Sequence, residues 1–312
     1  MPIGRQPAAV MVLVAIAMAA GCSRGPGTLG RDVVVTTLAP VPADASGDAA
    51  GRALRAVEVD PSPPQPPAPA CVPREIVVGH SADGMPLTLY RFGEGEGGTL
   101  VIGGIHGNEP TSADVADYLI GHLMERTDPW DGPPLAVLPR ANPDGLIRNT
   151  RTNARGVDLN RNFAAANWRR RKDGGAQWGG PHPESEPETR AILGAIYLTS
   201  PACIISIHSI HGSRQCNNFD GPAKALAEAM AAANGYPVVA SLGPCHGSLG
   251  NWAGVDRGIP IITLELPRDQ PGPDAWEDNR EALLLAVCPQ TPPSQTAWQG
   301  AEAPATSPHA SQ

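Results

Sequence analysis

The chain is poor in positive charge, in paired cysteine motifs, in repeats and in long apolar runs. Its 23 Lys and Arg stand against 31 Asp and Glu, a net charge of −8. That balance argues against a nucleic-acid partner, whose phosphates demand a basic surface. No Cys-x-x-Cys occurs, so no spacing supports zinc held by thiolates. Nothing recurs at a fixed period, which removes solenoids and propellers. The longest apolar run, residues 8–20, is too short to span a bilayer comfortably.

Gly and Pro are plentiful, 35 of each, above average usage. Much of the Pro clusters at 61–69 and after Pro289. Arg5 precedes the apolar run, which ends in Ala19-Ala20-Gly21-Cys22. The run suits the core of a signal peptide. Its ending resembles the bacterial lipoprotein signal, in which a Cys after small residues is lipidated. Ala19 stands where a branched residue is usual, and an ordinary cleaved signal is the alternative. The expectation is a lipoprotein-type signal over 1–22 with Cys22 as the lipidated residue. The protein would then be exported and face the periplasm from a membrane, or be secreted if Cys22 is unmodified. Residues 23–70 are rich in Gly, Ala, Pro, Asp and Ser. They bury too little apolar surface to offset their ordering entropy and read as a disordered tether. A folded domain is expected over 71–288 and a second disordered tail over 289–312. Five further cysteines remain: Cys71, Cys203, Cys216, Cys245 and Cys288. Export permits disulfides, and an odd number leaves at least one thiol free or paired between chains.

Within the domain, residues 75–79 and 87–92 read as strands paired about Asp83-Gly84, a turn signal. Apolar runs at 99–102, 135–139, 203–207 and 259–267 read as buried strands. Helical spacing covers 112–125, the segment after Ser185, 223–233 and 274–287. Ser185-Glu186-Pro187-Glu188 reads as a capping box, Asn142-Pro143-Asp144-Gly145 as a turn, and 243–254 as a Gly-rich loop. Strands alternating with helices predict an α/β fold with a largely parallel sheet, and the starting pair adds an antiparallel portion.

Three of these strands lead into chemistry. Residues 99–102 run into Gly103-Gly104-Ile105-His106-Gly107-Asn108-Glu109, residues 203–207 end at His208-Ser209, and the last strand carries Glu265. In α/β sheets ligands bind outside the carboxyl ends of strands. Two imidazoles and a carboxylate, His106, Glu109 and His208, form the ligand set of a catalytic zinc with an open fourth position. Glu265 is the spare carboxylate, suited to take a proton from the attacking water. Residues 150–163, Thr-Arg-Thr-Asn-Ala-Arg-Gly-Val-Asp-Leu-Asn-Arg-Asn-Phe, show neither helical nor strand period. Arg151 there suits a developing oxyanion, and Asn160 with Arg161 suits a substrate carboxylate. Arg155 reads as structural. His80, His122, His182 and His211 read as surface or structural residues, while His246 is open as a site residue. Trp168 and Trp178 suit either a groove lining or packing.

The order of motifs, His-x-x-Glu at His106, Thr-Arg followed by Gly-Val-Asp-x-Asn-Arg-Asn, Ile-His-Ser, and a late Glu before Leu-Pro, resembles the zinc carboxypeptidases (funnelins). The likeness runs from about Pro73 to Cys288. It implies a three-layer α/β/α sandwich around a mixed, mostly parallel twisted sheet. It also implies one Zn2+ per chain on His106, Glu109 and His208, and Glu265 as general base and acid. Arg151 would polarise the scissile carbonyl, and Asn160 and Arg161 would bind the terminal carboxylate. Within the family the chain is similar to bacterial murein peptide amidases, which cut the γ-D-glutamyl–meso-diaminopimelate bond of cell-wall peptides. Digestive carboxypeptidases carry a capping Tyr in the loop that here reads Leu242-Gly243-Pro244-Cys245-His246, and its lack fits the amidase branch. Two alternatives stand beside this reading. One is a deacylase of the succinylglutamate desuccinylase and aspartoacylase type, and the other is an inactive wall-binding lipoprotein.

Overall fold

The computed structural model describes residues 71–170, 175, 177–243 and 245–288. The expected signal over 1–22, the tether over 23–70 and the tail over 289–312 lie outside the described residues. The described part belongs to one compact unit. Its eight strands are β1 (Arg74–His80), β2 (Pro86–Phe92), β3 (Thr99–Ile102), β4 (Leu135–Leu138), β5 (Cys203–Ile210), β6 (Cys216–Asp220), β7 (Val238–Val239) and β8 (Ile261–Pro267). They form a single sheet in the order β1-β2-β4-β3-β5-β8-β6-β7. The four central strands, β4, β3, β5 and β8, run parallel. Antiparallel pairings join β1 to β2, β2 to β4 and β6 to β8.

Alternation along the strands divides the core in two, because successive side chains leave opposite faces. Val101, Val137, Ile205, Ile207, Leu264 and Leu266 pack against α1 (Pro110–Met124), α4 (Lys224–Asn234) and α5 (Gly272–Val287). Leu100, Ile102, Leu138, Ile204 and Ile261 pack on the other side against α3 (Pro187–Thr199), Phe163 and Trp252. The result is the expected three-layer sandwich around a mixed sheet. Ser206, His208, Thr263 and Glu265 share the second face. The loops at 151–162 and 241–255 close over that face at the carboxyl ends of the strands.

Several local expectations are corrected. The capping box does not form: α3 begins at Pro187, Glu186 takes the N-cap position, and no side chain caps the end. Ser185 Oγ instead accepts from Asn162 and donates to Glu186, while Glu188 accepts from the Ala82 N–H and from Asn153. The turn at 142–145 opens a short helix, α2 (Pro143–Arg148), with Asn142 Oδ1 accepting from Gly145 N as its cap. The Gly-rich loop contains a π-helical turn, Asn251–Val255. Strand β6 was not anticipated, since Cys-Asn-Asn-Phe-Asp is too polar to read as one, and β7 has two residues. The five cysteines of the domain are free thiols, with no disulfide among the described residues. Among the described residues no helix is long and apolar enough to cross a membrane.

Candidate metal centre and active site

The site begins where β3 ends. Gly104 takes φ +66°, a left-handed conformation that suits Gly. Gly107 lies so close to Gly145 that a Cβ would come within 1.9 Å of its carbonyl carbon. Ser112 pins the turn by donating to Glu109 O at 2.6 Å and accepting from Gly104 N at 3.1 Å. Glu109 is the N-cap residue of α1, yet its side chain makes no cap. It turns into the site, as does His208 from β5. Parallel register places His208 directly beside Glu265 on β8.

His106 Nδ1 lies 3.0 Å from Glu109 Oε1, His208 Nδ1 lies 3.1 Å from Glu109 Oε2, and the two Nδ1 atoms are 3.2 Å apart. All three residues are buried, at 3% exposure each. They form the one cluster of metal-ligating groups among the described residues. Donor atoms on a tetrahedral zinc, each about 2.0–2.1 Å from the metal, are separated by roughly this distance. The ring nitrogens facing away have their own partners: Asp158 Oδ1 sits 3.1 Å from His106 Nε2, and Ser206 Oγ 3.1 Å from His208 Nε2. With the Nε2 protons so placed, both Nδ1 lone pairs point inward at each other and at a carboxylate, an arrangement a cation relieves. The residues therefore fit zinc.

Electrostatics bind this cluster tightly. Burial opposes a charge on His106, but Glu109 and Asp158 outweigh it and raise the imidazole to about 9. Burial likewise opposes ionised Asp158. The His106 ring and then the Arg151 and Arg161 guanidiniums override it and hold the carboxyl at about 2. Glu109 is held well below the usual carboxylate range, its burial offset by both imidazoles. Glu265 moves the other way, since burial dominates and raises it. Metal uptake competes with protonation of His106, so affinity falls with falling pH.

Around the cluster lies a cavity of about 420 Å³. Every expected site residue of the domain lines it: His106, Glu109, Arg151, Asn160, Arg161, His208 and Glu265. Arg151 Nε donates to Asp158 Oδ2 at 2.9 Å, which fixes its guanidinium beside Glu109. Asn160 Oδ1 accepts from Leu249 N at 2.9 Å, leaving its Nδ2 as a donor. Arg161 Nη1 donates to Asn160 O at 2.6 Å and Nη2 faces Cys245 Sγ at 3.8 Å.

His246 does not line the cavity, whereas Cys245 and His211 do. Trp168 and Trp178 are half-buried and stand outside the cavity lining. Arg155 is confirmed outside the site, 3.7 Å from Glu186. Two residues went unassigned in the sequence. Asp158 is buried and orients both His106 and Arg151. Arg268 reaches Glu109 Oε1 at 2.9 Å and Ser209 O at 3.0 Å. Asp158 lies in the aperiodic stretch 150–163 and Arg268 follows the last strand, and nothing in the sequence marked either.

A buried His-Glu-His set at sheet ends, with a spare glutamate beside it, defines a metal-dependent hydrolase of α/β type. The chain belongs to the zinc carboxypeptidase family, whose model matches residues 51–219. It is 34% identical over 203 residues to murein peptide amidase A of Escherichia coli K12, covering 60% of this chain and 76% of that protein. It is 30% identical over 207 residues to murein peptide amidase A of Vibrio campbellii, covering 61% of this chain and 77% of the relative. The crystal structure of murein-tripeptide amidase MpaA from Escherichia coli O157 superposes with a TM-score of 0.59 at 31% identity, over 73% of this chain and 98% of that one. Carboxypeptidase A from Helicoverpa armigera, at 22% identity and TM-score 0.57, covering 69% of this chain and 68% of that one, shares the fold.

Proposed function

We propose that the protein hydrolyses an amide bond in cell-wall peptides, the bond between γ-D-glutamate and meso-diaminopimelate, with one zinc per chain on His106, Glu109 and His208. The observation that carries this reading is the convergence of that triad, Glu265, Arg151 and the Asn160–Arg161 pair on one cavity. The names of the relatives, murein peptide amidase A, support the choice of substrate. The absence of Tyr from residues 241–246 supports it too.

Zinc, when bound, supplies a Lewis acid that polarises the scissile carbonyl and acidifies water. Glu265 takes a proton from the attacking water and delivers it to the leaving nitrogen. Its burial raises the carboxyl and makes it the stronger base. Arg151, held by Asp158, donates to the oxyanion as it develops. Arg161 and Asn160 Nδ2 grip the carboxylate next to the leaving nitrogen.

Mass spectrometry of L-Ala-γ-D-Glu-diaminopimelate peptides incubated with zinc-loaded protein tests the reading. Diaminopimelate, or a peptide beginning with it, is the expected product. Arg161→Ala should lower kcat/KM by roughly 2–3 kcal/mol, the scale of a charge-assisted bidentate contact. Intact wall peptides alongside hydrolysed N-succinylglutamate would move the protein to the deacylase reading. Cleavage confined to C-terminal hydrophobic dipeptides would move it to ordinary carboxypeptidases. No turnover of any of these would leave a wall-binding protein.

We further propose that Cys22 carries a lipid that anchors the enzyme at a bacterial membrane, facing the periplasm, where intact wall peptides lie. Support comes from the apolar run ending in Ala19-Ala20-Gly21-Cys22. Cys22→Ser is expected to shift the protein from the detergent phase to the aqueous phase and to abolish incorporation of labelled fatty acid. Unchanged partitioning removes the anchor.

A further inference from the structure

The domain begins and ends on a cysteine, and the fold brings those two ends to one place. Cys71 precedes β1, and Cys288 caps the end of α5. Arg74 at the start of β1 pairs with Arg91 on β2, and the next residue of β2, Phe92, pairs with Leu135. Leu135 pairs in turn with Thr99 at the start of β3. The Thr99 hydroxyl donates to Ala286 O at 2.9 Å, just before Cys288. One row across the sheet therefore runs from the entry of the chain to its exit, at the opposite end of β3 from the metal cluster.

Both cysteines enter the same layer. Cys71 is buried in the cluster that holds Phe92, Leu135, Ala286 and Val287, and Cys288 packs against that cluster with Trp130. The segment 126–131 serves both thiols. The backbone of Trp130 hydrogen-bonds the Cys71 sulfur. Arg126 lies over the Trp130 ring, 5.8 Å from its centroid, and pairs with Asp131 at 3.1 Å. Burial pushes both thiols up, and the Arg126 guanidinium opposes it at both. Cys203, in the same layer, has no such cation: burial pushes it up to about 12 against the Ile204 backbone alone. A nearby cation favours the thiolate, the form that attacks a disulfide, and apolar burial suppresses it.

We propose that Cys71 and Cys288 form a disulfide that ties the two ends of the domain together. The proposal rests on the exported location argued above, where a protein disulfide is the oxidant. Cys288, the less buried of the two, attacks as thiolate and one sulfur of the donor leaves. The Cys71 thiolate then attacks the Cys288 sulfur, and the donor's second sulfur leaves. Two electrons pass to the donor, and the protons of the two cysteines end on its two thiols. The bond closes a loop of roughly 200 residues, and a long loop is where a cross-link most restricts the unfolded chain. It also fastens β1, an edge strand, and the last turn of α5, the ends at which a domain frays first.

The test incubates the zinc-loaded full chain with oxidised glutathione, alkylates it under denaturing conditions without reduction, and maps the digest by mass spectrometry. A peptide pair joining Cys71 to Cys288, lost on reduction, is expected, with Cys203, Cys216 and Cys245 outside any internal link. The oxidised parent should melt roughly 5–10 °C above the reduced parent. Cys71→Ser and Cys288→Ser should each abolish that difference, and Cys203→Ser should keep it. Comparing oxidised with reduced protein within each variant cancels the cost of the substitution itself. Absence of the pair, a link from either cysteine to Cys203, or a melting point that oxidation does not move overturns the tie. A chain that links in vitro but is recovered from cells with both thiols reduced counts against the exported location and leaves the pair standing.

Discussion

A His208→Ala protein is expected to fold, to retain far less than one zinc per chain after dialysis, and to cleave no wall peptide above background. Two protein ligands remain in that variant, and catalytic zinc sites ordinarily need three. The fold should survive, because Glu109 keeps the Arg268 guanidinium at 2.9 Å and the Ser209 N–H at 3.1 Å. His106 keeps Glu109 and Asp158 as partners. Elemental analysis by mass spectrometry reads the metal, and a thermal melt reads the fold. Stoichiometric zinc in the variant would remove His208 from the ligand set. A collapsed melting transition would mean that the loss of zinc reports unfolding, and His208→Gln would then carry the same test.

The central layers were legible because their strands are apolar on both faces. Residues 99–102, 135–138 and 203–207 leave no reading other than buried strand, and the helices between them show their period. The edge was not legible. Strand β6 carries Asn217 and Asn218, which succeed there because their amides bond to Asn234, Tyr236 and Val239. Such partners are distant in sequence and invisible to any local pattern. The capping box failed for a related reason. Asn162, 23 residues away, captures Ser185 Oγ, and Pro187 starts the helix later.

The ligands and the base were legible because each follows closely on, or occupies, an apolar buried strand. A glutamate in Ile-Ile-Thr-Leu-Glu-Leu-Pro is costly unless it works or is paired, and the structure sets it beside His208. What could not be read was orientation. Asp158 lies in a loop with no periodicity, and its grip on His106 and Arg151 follows from the fold of that loop. Arg268 follows the last strand as an ordinary surface-type residue, yet it folds back onto Glu109.

Glu265→Gln should leave zinc near one per chain and remove nearly all turnover. Gln matches the shape of Glu and preserves packing on β8, but its amide accepts no proton. General acid–base steps contribute roughly 10²–10⁴ in rate. A single residue that both orients the attacking water and returns its proton belongs at the upper end of that range, so kcat should fall by about 10⁴-fold. The pH profile supplies an independent reading. Burial raises the Glu265 carboxyl above the usual carboxylate range. The parent should therefore lose kcat/KM as pH falls through that raised value, because the base becomes protonated. The residual activity of the Gln variant should lack this acidic limb until metal loss sets in. Substrate affinity, measured as inhibition of the parent by a non-cleavable peptide and as direct binding to the variant, should agree within a few-fold, since Arg161 and Asn160 are untouched. Activity within tenfold of the parent, or an acidic limb unchanged in the variant, would take the proton-transfer role from Glu265.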